Sequence, residues 1–115
     1  MADGARAVFD PDAFERQTGG DAGLRTEIIQ MFLEDCPQRV EEIRAAVTKG
    51  DAKALSASAH GLKGSAAYMS ASAVRGHAAD LERMGREDSL AEAPAALAQL
   101  DAAVAALLPE LRKLV

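Results

Sequence analysis

The chain has 115 residues, enough for one domain with a continuous core and too few for two ordinary domains. Hydrophobic residues make up 49% but aromatics only 3%, with no Trp, so the core must be built from Leu, Ile, Val, Met and Ala, which favours closely packed helices over sheets. A formal net charge of -5 argues against a nucleic-acid binder, and the single cysteine, Cys36, excludes an intrachain disulfide and a paired-cysteine metal site.

Residues 1–8 are expected to be a loose, flexible end and residues 9–115 a single helical domain. Asp10 and Pro11 form a helix start, as N-cap and first helical residue, and that short helix ends near Gly19 and Gly20. Asp21 caps a second helix in which Leu24, Ile28, Met31 and Phe32 share a face. Pro37 interrupts the pattern, and Val40, Ile43 and Val47 resume it, so this is either one kinked helix or two collinear ones, ended by Gly50.

Asp51 caps a third helix whose apolar members Leu55, Ala59, Leu62, Ala66 and Met69 form a bundle-type seam. Ser70 to Ser72 is the tight connection, with either serine as cap of a fourth helix carrying Val74, Ala78, Leu81 and Met84 inward and ended by Gly85. The last segment places Leu90, Leu97, Leu100, Val104, Leu107, Leu111 and Leu114 in a near-heptad, with Pro94 and Pro109 as its two awkward residues. Its start is open between a capping box at Ser89 to Glu92 and Pro94 in a first turn. Pro109 predicts a kink or break, with residues 110–115 as a short last turn.

No segment alternates like a strand. Four long amphipathic segments with short connections predict an all-α, antiparallel up-down four-helix bundle with a short additional N-terminal helix. No apolar run approaches the ~20 residues needed to span a bilayer, and the first residues lack the blocks of a signal peptide, so a cytoplasmic protein is expected.

One stretch breaks local rules. Gly61 and Gly64 lie in the middle of the third helix, each costing about 1 kcal/mol relative to alanine, and both flank His60. At about 100° per residue the centre of the apolar seam lies roughly 140° from His60, which places the imidazole outward on a stripe with Lys53, Ser56, Ala57, Lys63, Gly64 and Ala67. That is an open platform with small neighbours and one cation a turn away. A histidine with one unprotonated ring nitrogen is a nucleophile, and a group bonded to the other nitrogen sets the tautomer. An anionic phosphoryl group suits Lys63, a flexible point charge able to follow it onto Nε2. With the hairpin centred near residues 70 and 71, Glu82 falls level with His60 and flanks the core residue Leu81, so it can accept a hydrogen bond from Nδ1–H.

The run His60-Gly61-Leu62-Lys63-Gly64-Ser65-Ala66 resembles the signature of histidine phosphotransfer (HPt) domains of two-component phosphorelays. The resemblance implies that His60 is phosphorylated by a receiver-domain aspartate and passes the group to another, on a four-helix bundle without kinase activity of its own. It also implies that Lys63 assists the phosphoryl group, that Gly64 leaves room for the receiver, and that Ser65 and Ala66 pack behind. Glu82 stands where the family commonly has Gln or Glu. The implied partners are receiver domains of response regulators and hybrid histidine kinases, which bring the Mg²⁺. A monomer is expected, docking through the surface around His60 and apolar residues of the neighbouring helix, Ile29 among them.

Plainer readings stand beside these. A lone helical histidine is ordinarily a surface residue, and without its setting Lys63 is a solvated lysine and Glu82 a surface acid paired with Arg86. His77, near Val74, Ala78 and Leu81, is a packing or hydrogen-bonding residue, and Cys36 a small residue near Pro37, since a zinc site with His60 and His77 would need three unrelated positions to converge. The alternative function is a non-catalytic helical adaptor in which His60 is incidental.

Overall fold

The structure, a computed structural model, describes residues 6–115, and within them the chain folds into five helices with no strand. These are α1 (Pro11–Gln17), α2 (Ala22–Lys49), α3 (Ala52–Tyr68), α4 (Ser72–Arg86) and α5 (Ala93–Arg112). Three of the starts are set as expected. The carboxylates of Asp10, Asp21 and Asp51 accept hydrogen bonds from the backbone N–H of Ala13, Leu24 and Ala54 at 3.1, 3.0 and 3.0 Å. Gly50, in the left-handed conformation (φ 68°), closes α2.

Other boundaries differ from expectation. Neither Ser70 nor Ser72 caps α4: the N-cap is Ala71, which has no side chain to bond with, and Ser70 lies in the turn at φ 58°. At α5, of the two starts left open, the one with Pro94 in the first turn holds: the helix begins at Ala93, with no capping hydrogen bond from a side chain. At Pro37 the one-helix alternative holds, whereas the break expected at Pro109 is absent and α5 runs on to Arg112; both rings are exposed. Each removes one backbone donor from its helix without ending it.

Helices α2 and α4 each pack against both α3 and α5, so α3 and α5 stand diagonally across a four-helix bundle. The 28 residues of α2 rise about 42 Å at 1.5 Å per residue, and this helix accounts for the 41 Å long axis of the molecule. The seam of α3 is buried as read: Leu55, Ala59, Leu62, Ala66 and Met69 are all at most 1% exposed. On α2 the inner face is rotated from expectation. Ile29, Phe32, Cys36, Val40, Ile43 and Ala46 face the core, whereas Leu24 and Met31 are exposed. On α5, Leu97, Leu100, Leu107 and Leu111 are buried, and Leu114 is outside.

α4 ends as expected in the run that begins at Gly85, with Arg86 its last residue and Glu87 its C-cap, and Gly85 also lies close against α3. A Cβ there would lie 2.7 Å from both the carbonyl oxygen of Ala52 and the backbone nitrogen of Ser56. Residues Arg6 to Asp10 lie along the α3–α4 turn: Ala73 N–H donates to the Ala7 carbonyl and Asp10 N–H to that of Ser70. Arg6 crosses Gly76 to reach Nδ1 of His77 at 3.0 Å and Asp80 at 3.1 Å. The expected loose end is otherwise residues 1–5, which lie outside the described residues. Contrary to the expectation that no run approaches a bilayer span, α5 is long and apolar enough by length and composition alone, although here its leucines pack into the bundle.

Candidate functional site

His60 projects from the middle of α3 with 69% of its side chain exposed, in the direction that the seam geometry requires. Its Nδ1 lies 2.7 Å from Oε2 of Glu82 on α4. Only 6% of Glu82 is exposed, yet the residue is fully partnered. Oε1 takes Nζ of Lys63 at 2.6 Å, and Oε2 is shared between His60 and Nη1 of Arg86 at 3.4 Å. The Lys63 hydrogen bond, more than the one from His60, holds the Glu82 carboxyl below the usual carboxylate range, against the opposing pull of desolvation. A carboxylate can only accept, so Nδ1 of His60 carries a proton, and in the neutral ring the lone pair lies on Nε2.

The expected lysine therefore stands beside the imidazole, but it is ion-paired with Glu82 rather than unpaired on the platform. The platform also has more than one cation. Arg86 on α4 joins the same carboxylate; its i+4 spacing from Glu82 is visible in the sequence, but its closeness to His60 is not. On the opposite flank Arg39 of α2 lies over Gly61: a Cβ on Gly61 would collide with Nη1 of Arg39 and come within 3.4 Å of its Cζ. Nothing in the sequence pattern around Arg39 pointed to this, because the contact depends on the rotation of α2.

Gly64 faces open space, with no atom within 4 Å of where a Cβ would stand. It sits at the edge of a cleft of about 390 Å³ between α2 and α3, lined by Ile28, Met31, Phe32, Leu62 and Tyr68 among others, with Arg39 also on its wall. Met31 is 60% and Tyr68 41% exposed. Ile29, expected at this surface, is instead in the core; Met31 points outward, and Ile28 is half-buried at the cleft wall against the core. Ser65 is half-buried and Ala66 fully buried behind the site.

The remaining candidates lie elsewhere. His77 is 5% exposed and accepts from Arg6 at Nδ1. Arginine can only donate, so this nitrogen is unprotonated. Burial pushes the Cys36 thiol up to about 11, with Arg39 opposing, which leaves it a protonated core group. Among the described residues no group of three His, Cys, Asp or Glu side chains is placed to hold a metal ion.

Residues 27–110 match the Hpt domain family. The structure is similar to the crystal structure of histidine-containing phosphotransfer protein B (HptB) from Pseudomonas aeruginosa PAO1, with a TM-score of 0.86 and 26% sequence identity over 91% of each chain. No curated protein matches the chain.

Proposed function

The chain belongs to the Hpt domain family and is a histidine-containing phosphotransfer protein of a phosphorelay, and from this premise we propose that Nε2 of His60 is the atom that carries the phosphoryl group. The observation that carries the assignment is the exposed imidazole whose Nδ1 is held 2.7 Å from the buried carboxylate of Glu82. With the proton kept on Nδ1, the Nε2 lone pair attacks phosphorus of a receiver-domain aspartyl phosphate. The P–O bond to the aspartate breaks, its electron pair returns to the carboxylate, and a P–N bond forms. No proton has to move. The positive charge left on the ring is compensated by Glu82 through the Nδ1–H hydrogen bond, and the reverse reaction runs through the same contacts.

Lys63 and Arg86 stay beside the transferred group, so that one carboxylate and two cations leave net positive charge where phosphoryl oxygens arrive. The receiver supplies Mg²⁺, and this chain contributes no kinase activity. The receiver docks transiently over His60 and the adjoining apolar cleft, where Ile28, Met31 and Tyr68 offer apolar surface and Gly64 offers clearance. A monomer working in the cytoplasm suits this role.

Incubation with phosphorylated receiver domains tests the assignment. Acid-labile phosphate is expected on the wild type and not on His60→Gln. Unchanged labelling of His60→Gln would remove His60 from the reaction, and no labelling by any of several receivers would favour a helical adaptor instead. Gly64→Leu should remain folded, since its Cβ meets nothing, while transfer slows about tenfold or more through obstruction of the receiver; undiminished transfer would refute the clearance role.

A further inference from the structure

We propose that Arg39 on α2 is a second phosphoryl-binding residue, whose guanidinium, laid across Gly61, contacts the oxygens of the phosphoryl group on the flank of His60 opposite Lys63. The proposal rests on the reading of His60 as the phosphoryl-bearing residue and adds to it a group from a different helix.

Three observations converge. The first is placement. Around the α3 axis Lys63 lies about 60° to one side of His60, while Gly64 and Gly61 lie about 40° and 100° to the other. Lys63 and Arg86 meet Glu82 on the α4 side, and Arg39 occupies the α2 side, against the residue next to His60. The second is space. The volume that a side chain at position 61 would fill is taken by Nη1 of Arg39, so the mid-helix glycine is what lets the guanidinium lie this close to the α3 backbone. The third is the state of the guanidinium. Lys63 and Arg86 are both engaged by Glu82, whereas no described carboxylate lies within ion-pair distance of Arg39, and its Nε is buried with no hydrogen-bond partner. Nε itself is out of a ligand's reach, but the outer N–H groups at the cleft wall also have no described side-chain partner, and an anion arriving there would supply an acceptor.

A phosphoryl group meets that need. It carries negative charge on three equatorial oxygens during in-line transfer, and a planar guanidinium can give two parallel N–H···O bonds to such a group, which a lysine cannot. Arg39 remains protonated throughout: it neither gives nor takes a proton, and the bonds made and broken are those at Nε2 and at the receiver aspartate.

The experiment is a double-variant cycle on the full chain, with a phosphorylated receiver domain as donor and the single-turnover transfer rate and the thermal unfolding midpoint as readouts. Arg39→Gln should lose about tenfold or more in transfer rate with a midpoint close to wild type, and Arg39→Lys should recover part of the rate. Gly61→Ala, which displaces Nη1, should slow transfer in the wild-type background and have little effect on top of Arg39→Gln. Equal slowing in both backgrounds, or a rate for Arg39→Gln within twofold of wild type, would overturn the role of Arg39. Absence of labelling on the wild type, or its persistence on His60→Gln, would instead refute the underlying assignment of His60. Should Arg39→Gln not fold, the comparison of Arg39→Lys with Gly61→Ala decides the matter: wild-type rates in both would refute the proposal.

Discussion

A single carboxylate organises the site. Glu82 is nearly buried, yet it faces an imidazole, an ammonium and a guanidinium, and this concentration of partners keeps it ionised. Because its folded pKa is lowered from 4.5, the stability it contributes is fully present above that value and is lost as pH falls through the lower folded value. Glu82→Gln should therefore cost about 1 kcal/mol at pH 7, the low end for a charged hydrogen bond because all three partners are partly solvated. The gap between variant and wild type should narrow as pH falls below 4.5 and Glu82 becomes protonated. Urea denaturation in a pH series from 7 downwards through the acid range measures this; a gap independent of pH would show that ionisation of Glu82 does not matter to the fold. Nitrogen NMR on the same variant reads the tautomer, and loss of the Nδ1–H preference of His60 is expected. At this scale His60, Lys63 and Glu82 were legible in the sequence, because one helix and one hairpin relate them. Arg39 was not, because no local pattern links residue 39 to residue 61.

At the scale of elements, glycines serve different ends within adjoining helices. Gly64 keeps a surface clear, Gly61 lies beneath Arg39, and Gly85 lets α4 approach the backbone of α3. Gly85→Ala tests the last of these. Helix propensity alone would favour alanine by about 1 kcal/mol, but the added Cβ meets two backbone atoms at 2.7 Å that no rotamer change can move. The crossing must widen, at a net cost of about 1–3 kcal/mol, and thermal unfolding should show a midpoint several degrees lower. A midpoint equal to or above wild type would mean that the helices are free to slide apart. The sequence showed the helix end in the run from Gly85 to Ser89 but not the crossing, since glycine near a C-terminus and glycine at a crossing look alike without the partner helix. The three aspartate caps were legible because an N-cap bonds to its own next turn.

For the whole molecule the diagonal placement of α3 and α5 separates chemistry from support. Leu100 is fully buried on α5, in a helix that packs on α2 and α4 but not closely on α3. Leu100→Ala should cost about 2–5 kcal/mol by transfer and cavity terms together, a large part of the 5–15 kcal/mol typical of a domain. The transfer rate per folded molecule, measured well below the unfolding midpoint, should be unchanged. A specific loss of rate in a fully folded variant would show that the site depends on the far side of the bundle.

What the sequence by itself determined is whatever is encoded within one helix or one tight hairpin: the bundle, the capped starts, the buried seam of α3, the outward His60 and its pairing with Glu82. These follow from a period of 3.6 residues and from the reach of a side chain to its own next turn. Only the tertiary structure decided how α2 is rotated, which put Ile29 inside and Met31 outside and brought Arg39 across Gly61. It also decided that the prolines sit within continuous helices and that Lys63 is held by Glu82. The physical reason is that a mixed face such as that of α2 offers several nearly equivalent apolar stripes, and the choice among them is made by the shape of the neighbouring helices, not by local preference.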